Sequence, residues 1–263
     1  MMAAATIDDV LAQLSSIIDD SIKTNSRAGY FAALYHKVTS SVKLGIQNNV
    51  FDDGKRMEIL DVIFANRYLA AYDQWKNNKP TTGSWKVAFE TVEKGQPLVL
   101  QHLLLGMNAH INLDLGIAVV AAAKGQDFQS AGNDFNKLNA IISALTNDVI
   151  AELNRVSPLL SLLGLHATNY NSILIQFSIG NARDGAWRFA EELHPLTGND
   201  YDGCIIARDK NITQLAESLV HANTLLKITL WIIHLFEWRR PSRIVKALWE
   251  YKKTYLKVSQ MNI

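Results

Sequence analysis

Two pairs of side chains have the spacing of a one-turn chelate or an acid–base dyad. In the stretch NAHINLDL, His110 and Asp114 stand four residues apart, and in QLAESLVHANTL so do Glu217 and His221. On a helix, residues at this spacing share one face, so each imidazole could reach its carboxylate or bind a common cation with it. If the helices that carry them pack antiparallel, His110, Asp114, Glu217 and His221 supply two carboxylates and two imidazoles for a divalent metal, with zinc, manganese and iron as the candidates. Such a metal would acidify a bound water and polarise an ester or phosphoester. Asp61, on an otherwise apolar helix, would orient or deprotonate that water, and Arg183, in NARDGAWR, would hold an anionic part of the substrate as a planar fork. The structural alternative is an internal bond within each pair and an interhelical ion pair for Arg183, because buried polar groups are usually satisfied by neighbours.

These residues need elements to hold them. Gln96–Ala123 (QPLVLQHLLLGMNAHINLDLGIAVVAAA) is apolar on every side of a helical wheel, so it is expected to run through the middle of the protein. It nevertheless carries His102, Asn108, His110, Asn112 and Asp114, and an unpartnered carboxylate there costs several kcal/mol. Around it the chain predicts amphipathic helices over residues 7–23, 27–46, 55–75, 85–93 and 134–156, with Thr6 and Asp9 forming a capping box and Ser84 an N-cap. A short helix over 159–165 and longer ones over 172–193, 212–238 and 241–258 complete the pattern. The polar, glycine-containing stretches 124–133 and 194–211 are expected to be loops able to gate a site. No alternating strand pattern or repeat is present, and the expected fold is all-α, a single-domain multi-helix bundle around the central helix.

With 263 residues, 48% of them hydrophobic, the chain can bury a sizeable core. A net charge of +1 gives no long-range field for nucleic acid, and the single Cys204 excludes an intrachain disulfide and a cysteine zinc ribbon. The start, MMAAATIDDVLAQL, has no basic region before an apolar core, which predicts a cytoplasmic protein. The central helix and Leu225–Phe236 are read as core helices and not as membrane spans, since the first has His and Asp near its middle and the second is too short. The expected partner is a small-molecule substrate, with no nucleic acid and no integral membrane contact; oligomeric state is left open.

At FAALYHKVT (31–39), LDVIFANRYLAA (60–71), LQHLLLGMNAHINLDL (100–115) and RDGAW (183–187) the chain resembles a bacterial and fungal group, domain-of-unknown-function family 5995. That resemblance implies an α-helical domain and no particular activity. It singles out Tyr35, Asp61, Arg67, Asn108, His110, Asp114, Arg183 and Trp187, with Tyr35, Arg67, Asn108 and Trp187 as substrate-binding residues. His110 and Asp114 are also similar to the metal pair on the central helix of zinc-dependent phospholipase C and single-strand nucleases. Leu115-Gly116-Ile117-Ala118 lacks the further histidine of that superfamily, so the likeness implies a site of one or two metals. The leading expectation is therefore a metal-dependent hydrolase. The alternatives are a metal-free cyclase or isomerase that uses His110 as acid or base on an apolar biosynthetic intermediate, and a non-catalytic binding protein whose polar core fixes helix register.

Overall fold

The computed structural model describes residues 2–124, 128–166, 179–221 and 224–250. Among these residues the chain is helical without strands. Its helices are α1 (Ile7–Thr24), α2 (Gly29–Gln47), α3 (Gly54–Lys76), α4 (Gly83–Val92), α5 (Val99–Ala109), α6 (Gly116–Ala122), α7 (Gly132–Val156), α8 (Ile179–Leu193), α9 (Gly198–Val220), α10 (Thr224–Phe236) and α11 (Pro241–Glu250). Between α5 and α6 the helix does not stop; His110–Leu115 forms a π-helical segment, so Val99–Ala122 is one continuous rod with a widened middle. Short 3₁₀ turns occupy Phe128–Ala131 and Leu160–His166.

The rod lies at the centre because it is apolar all round. It is long and apolar enough to cross a membrane, yet 83% of its apolar window is buried within the molecule. Helices α2, α3, α4, α8 and α9 pack around it, while α1 and α11 close the far side of α2. Gly106 permits the closest approach on this rod: a methyl group there would lie 2.5 Å from the Phe31 ring of α2. Gly116 does the same for Phe189 of α8, again at 2.5 Å. The first helix begins as expected, with the Asp9 amide donating to Thr6 Oγ1 at 3.1 Å and the Thr6 amide donating to Asp9 Oδ2 at 3.0 Å.

Two expected boundaries are corrected. The stretch 194–211 is not a loop: α9 starts at Gly198 and runs through it. Conversely, no single helix spans 212–238, because α9 ends at Val220 and His221 lies outside a helix; the next described helix starts at Thr224. The signal in α9 is weak because only Ile212, Ala216 and Leu219 are fully buried along it, and Gly198, Asn199, Asp200 and Gly203 read as loop composition. The start of α4 is also handled differently. Ser84 is not its N-cap; Asp209 of α9 supplies the missing acceptors, taking hydrogen bonds from the Gly83 amide (2.6 Å), the Ser84 amide (3.1 Å) and Ser84 Oγ (2.7 Å). The expected helical stretches 172–178 and 251–258 lie outside the described residues.

Candidate functional site

Three helices bring side chains to the π segment. It contributes His110 and Asp114; α3 contributes Asp61, Phe64, Arg67 and Tyr68 at one-turn spacing; α2 brings Phe31 and Tyr35; and α4 brings Trp85. Single π turns are uncommon in helices and concentrate where function demands them. The widened turn leaves backbone carbonyls to satisfy, and Arg208 of α9 does so by donating from Nε to the Asn112 carbonyl at 2.9 Å. Its guanidinium also lies over the Phe189 ring and donates to the Gly185 carbonyl. Nothing in the local sequence pattern marks Arg208 for this task.

Asp114, 1% exposed, is fully engaged by protein donors. Its Oδ1 accepts from Arg67 Nε at 2.6 Å, and its Oδ2 accepts from Trp85 Nε1 at 2.9 Å and lies 3.2 Å from His110 Nδ1. Burial pushes the Asp114 carboxyl upward, but the bonds and charges of His110, Arg67 and Trp85 outweigh it and hold the group below the usual carboxylate value. Burial lowers His110 below the usual histidine value, and its bond to Asp114 only partly opposes that. Asp114 is thus held as the anion, paired with Arg67, and His110 as the neutral imidazole, chiefly because it is buried. With Nδ1–H directed to Asp114, the lone pair of the imidazole sits on Nε2. Nε2 is buried and has no hydrogen-bond partner among the described residues.

Aromatic rings enclose that imidazole. Phe64 stacks on it with centroids 3.6 Å apart and planes 6° from parallel, Tyr35 meets it edge-on at 4.5 Å, and Phe31 does so at 5.8 Å. Tyr35 and Phe64 also line an apolar cavity of about 20 Å³, together with Asp61 and Arg183. That space holds about one water. Asp61 is 6% exposed, and its Oδ2 is buried with no partner among the described residues. Burial, with the nearby Glu58 charge, raises its carboxyl to about 8, so it is predominantly a neutral acid at pH 7.

The structure reassigns several expected residues. Arg67 is not free for substrate; it is the counter-ion of Asp114. Asn108 is a cross-link, donating from Nδ2 to the Ile212 carbonyl at 2.8 Å and accepting from Asn112 at 2.9 Å. Trp187 packs between Phe128 and Phe135 and donates to Glu191, beside a different cavity from the one that Asp61 lines. Arg183 is buried beside Asp61's cavity and donates to the Asn139 carbonyl. Glu217 and His221 are exposed at the end of α9, where His221 closes the helix, whereas His110 and Asp114 are in the core. The expected cage of His110, Asp114, Glu217 and His221 is therefore not assembled, and no cluster of three or more His, Cys, Asp or Glu side chains occurs among the described residues. Phe31, Phe64, Tyr68 and Trp85 were not expected at the site. Their helical spacing suits core packing equally well, and only the indole N–H of Trp85, a donor that needs a buried acceptor, was a usable signal.

No curated protein and no solved structure matches the chain. The likeness of His110 and Asp114 to the phospholipase C and nuclease pair thus finds no support beyond the motif itself. A family model does match, over residues 7–222, and it contains every residue of the His110 site. The protein belongs to the family of unknown function DUF5995.

Proposed function

We propose that the protein is a metal-free helical enzyme that carries out an acid–base isomerisation or cyclisation of a small apolar molecule at His110. The observation that carries this reading is the state of the imidazole: Nδ1 is held by Asp114 while Nε2, the basic atom, is buried without a partner among the described residues. Asp114 orients the ring and fixes its tautomer, as second partners of histidine commonly do. Asp61, a neutral acid that lines a cavity together with Tyr35 and Phe64, the two rings against His110, would return the proton, so the reaction would need no external acid or co-reactant. Phe31, Tyr35, Phe64, Tyr68 and Trp85 line the surroundings with apolar faces, which favours a hydrocarbon-rich substrate over a phosphoester. A metal hydrolase is less well supported, since both oxygens of Asp114 and Nδ1 of His110 already have protein partners.

The test is conversion of apolar metabolites from the source organism, followed by chromatography and mass spectrometry. The protein should convert at least one of them into a product of identical mass, with or without a chelator. His110→Gln should slow that conversion by about 100-fold or more. Loss of conversion on chelation would return the metal reading, and equal conversion by His110→Gln would refute the role of the imidazole. A second reading, a non-catalytic protein whose buried polar groups fix helix register, draws on the closure of the site, with His110 only 2% exposed. It predicts no conversion and a His110→Gln variant altered in stability alone.

A further inference from the structure

A second site lies away from His110, where the turn before α2, the connector into α5 and the end of α10 meet. There Arg27, Tyr30, Pro97, His234, Glu237 and Arg239 surround a cavity of about 250 Å³, against about 20 Å³ beside Asp61. Glu237, 6% exposed, is committed to the fold: it accepts from the Val99 amide at 3.1 Å and from Ser157 Oγ, and so caps the central helix. The cations have no such commitment. Arg27 makes one hydrogen bond, from Nη1 to the Val92 carbonyl at 3.3 Å, and neither Arg27 nor Arg239 has a carboxylate ion pair among the described residues. His234 stands 3.9 Å from the Glu237 carboxylate, too far for a hydrogen bond.

We infer that this cavity binds a small phosphoryl-bearing anion between the guanidinium groups of Arg27 and Arg239. A guanidinium presents several N–H donors in one plane and matches phosphate oxygens better than any other side chain, and here two arginines, Arg27 and Arg239, line one hollow. Burial first, and then the positive charges of Arg239 and Arg27, lower the His234 pKa; the one carboxyl in the lining, Glu237, is raised to about 7 by burial although Arg27 opposes that rise, so it is only partly ionised at pH 7. The rings of Tyr30 and Trp238 and the ring of Pro97 supply apolar wall for the organic part of a phosphomonoester. The inference does not depend on the chemistry assigned to His110.

Isothermal titration calorimetry on the full chain tests it with inorganic phosphate, glycerol 3-phosphate and glycerol. Binding of either anion with a dissociation constant of about 1 mM or lower, and none of glycerol, is the expected result. Tighter binding of inorganic phosphate identifies the free ion as the occupant; tighter binding of glycerol 3-phosphate identifies a phosphomonoester. Arg239→Gln, at an exposed position, should weaken binding by about tenfold, and Arg239→Lys should weaken it less, because a charge-assisted hydrogen bond is at stake. Arg27→Gln serves as the second variant, checked for folding by its thermal transition. Absence of binding by both anions, or unchanged binding in both glutamine variants, overturns the proposal.

Discussion

At the scale of single residues, the site is set by which polar atoms the fold satisfies and which it leaves open. Asp114 has three donors, Arg67, Trp85 and His110, and is a fixed anion. Asp61, also on a core-facing side of its helix, has a buried oxygen with no donor among the described residues and keeps its proton. The sequence shows both as carboxylates among apolar residues and gives no means of telling them apart. The difference has a measurable consequence. In the unfolded chain Asp61 loses its proton near 3.8, while in the folded protein it retains it to about 8, so the folded state binds the extra proton throughout that interval. Stability attributable to Asp61 is therefore full below pH 4, falls as pH rises from about 4 to 8, and is lost beyond. Asp61→Asn removes the titration. Chemical denaturation should show the wild type losing a few kcal/mol relative to this variant between those limits and no more above them; a difference independent of pH would contradict the burial of an unpartnered carboxyl.

At the scale of elements, α9 matters more than its composition suggests. Through Asp209 it caps α4, through Arg208 it satisfies the π segment, and its Ile212 carbonyl holds Asn108. Since α4 carries Trp85, the cap is linked to the Asp114 network by a helix only ten residues long. Asp209→Ala should therefore destabilise the protein by about 2 kcal/mol, the combined effect of a lost cap and amides left without an acceptor. By comparison, Glu217→Ala on the exposed side of the same helix should change stability by less than about 0.5 kcal/mol. Urea denaturation of the two variants checks both numbers, and equal effects would show that α4 does not depend on Asp209. The capping box at Thr6 and Asp9 was readable because both partners lie within one turn. Asp209 was not, because it is more than 120 residues from the amides it serves.

At the scale of the whole molecule, packing extends past the family match. The match ends at residue 222, yet Ile244, Val245 and Leu248 of α11 are buried, with α11 packed against α1 and α2, and Glu237 caps α5 from the connector before it. Removing residues 223–263 would uncover those surfaces. Each buried aliphatic side chain contributes about 2 kcal/mol, and a fold is stable by only about 5–15 kcal/mol. Residues 1–222 alone should therefore lack the cooperative calorimetric transition of the full chain, and a transition at the full-length temperature would show that the last helices are dispensable.

The sequence by itself determined the all-α class, the starts and ends of α1, α2, α3 and α7 to within about two residues, and the central place of the rod, because helical periodicity and unbroken apolarity are local properties. It also singled out His110 and Asp114 as partners, since four residues of helix bring them together wherever the rod lies. Only the tertiary structure decided that Arg67 of a distant helix pairs with Asp114, that Glu217 and His221 are exposed, and that Oδ2 of Asp61 is buried with no partner among the described residues. Those outcomes depend on how helices distant in sequence are rotated against one another. A turn of one helix by a single residue exchanges a buried face for a solvated one, and no spacing within one segment records that angle.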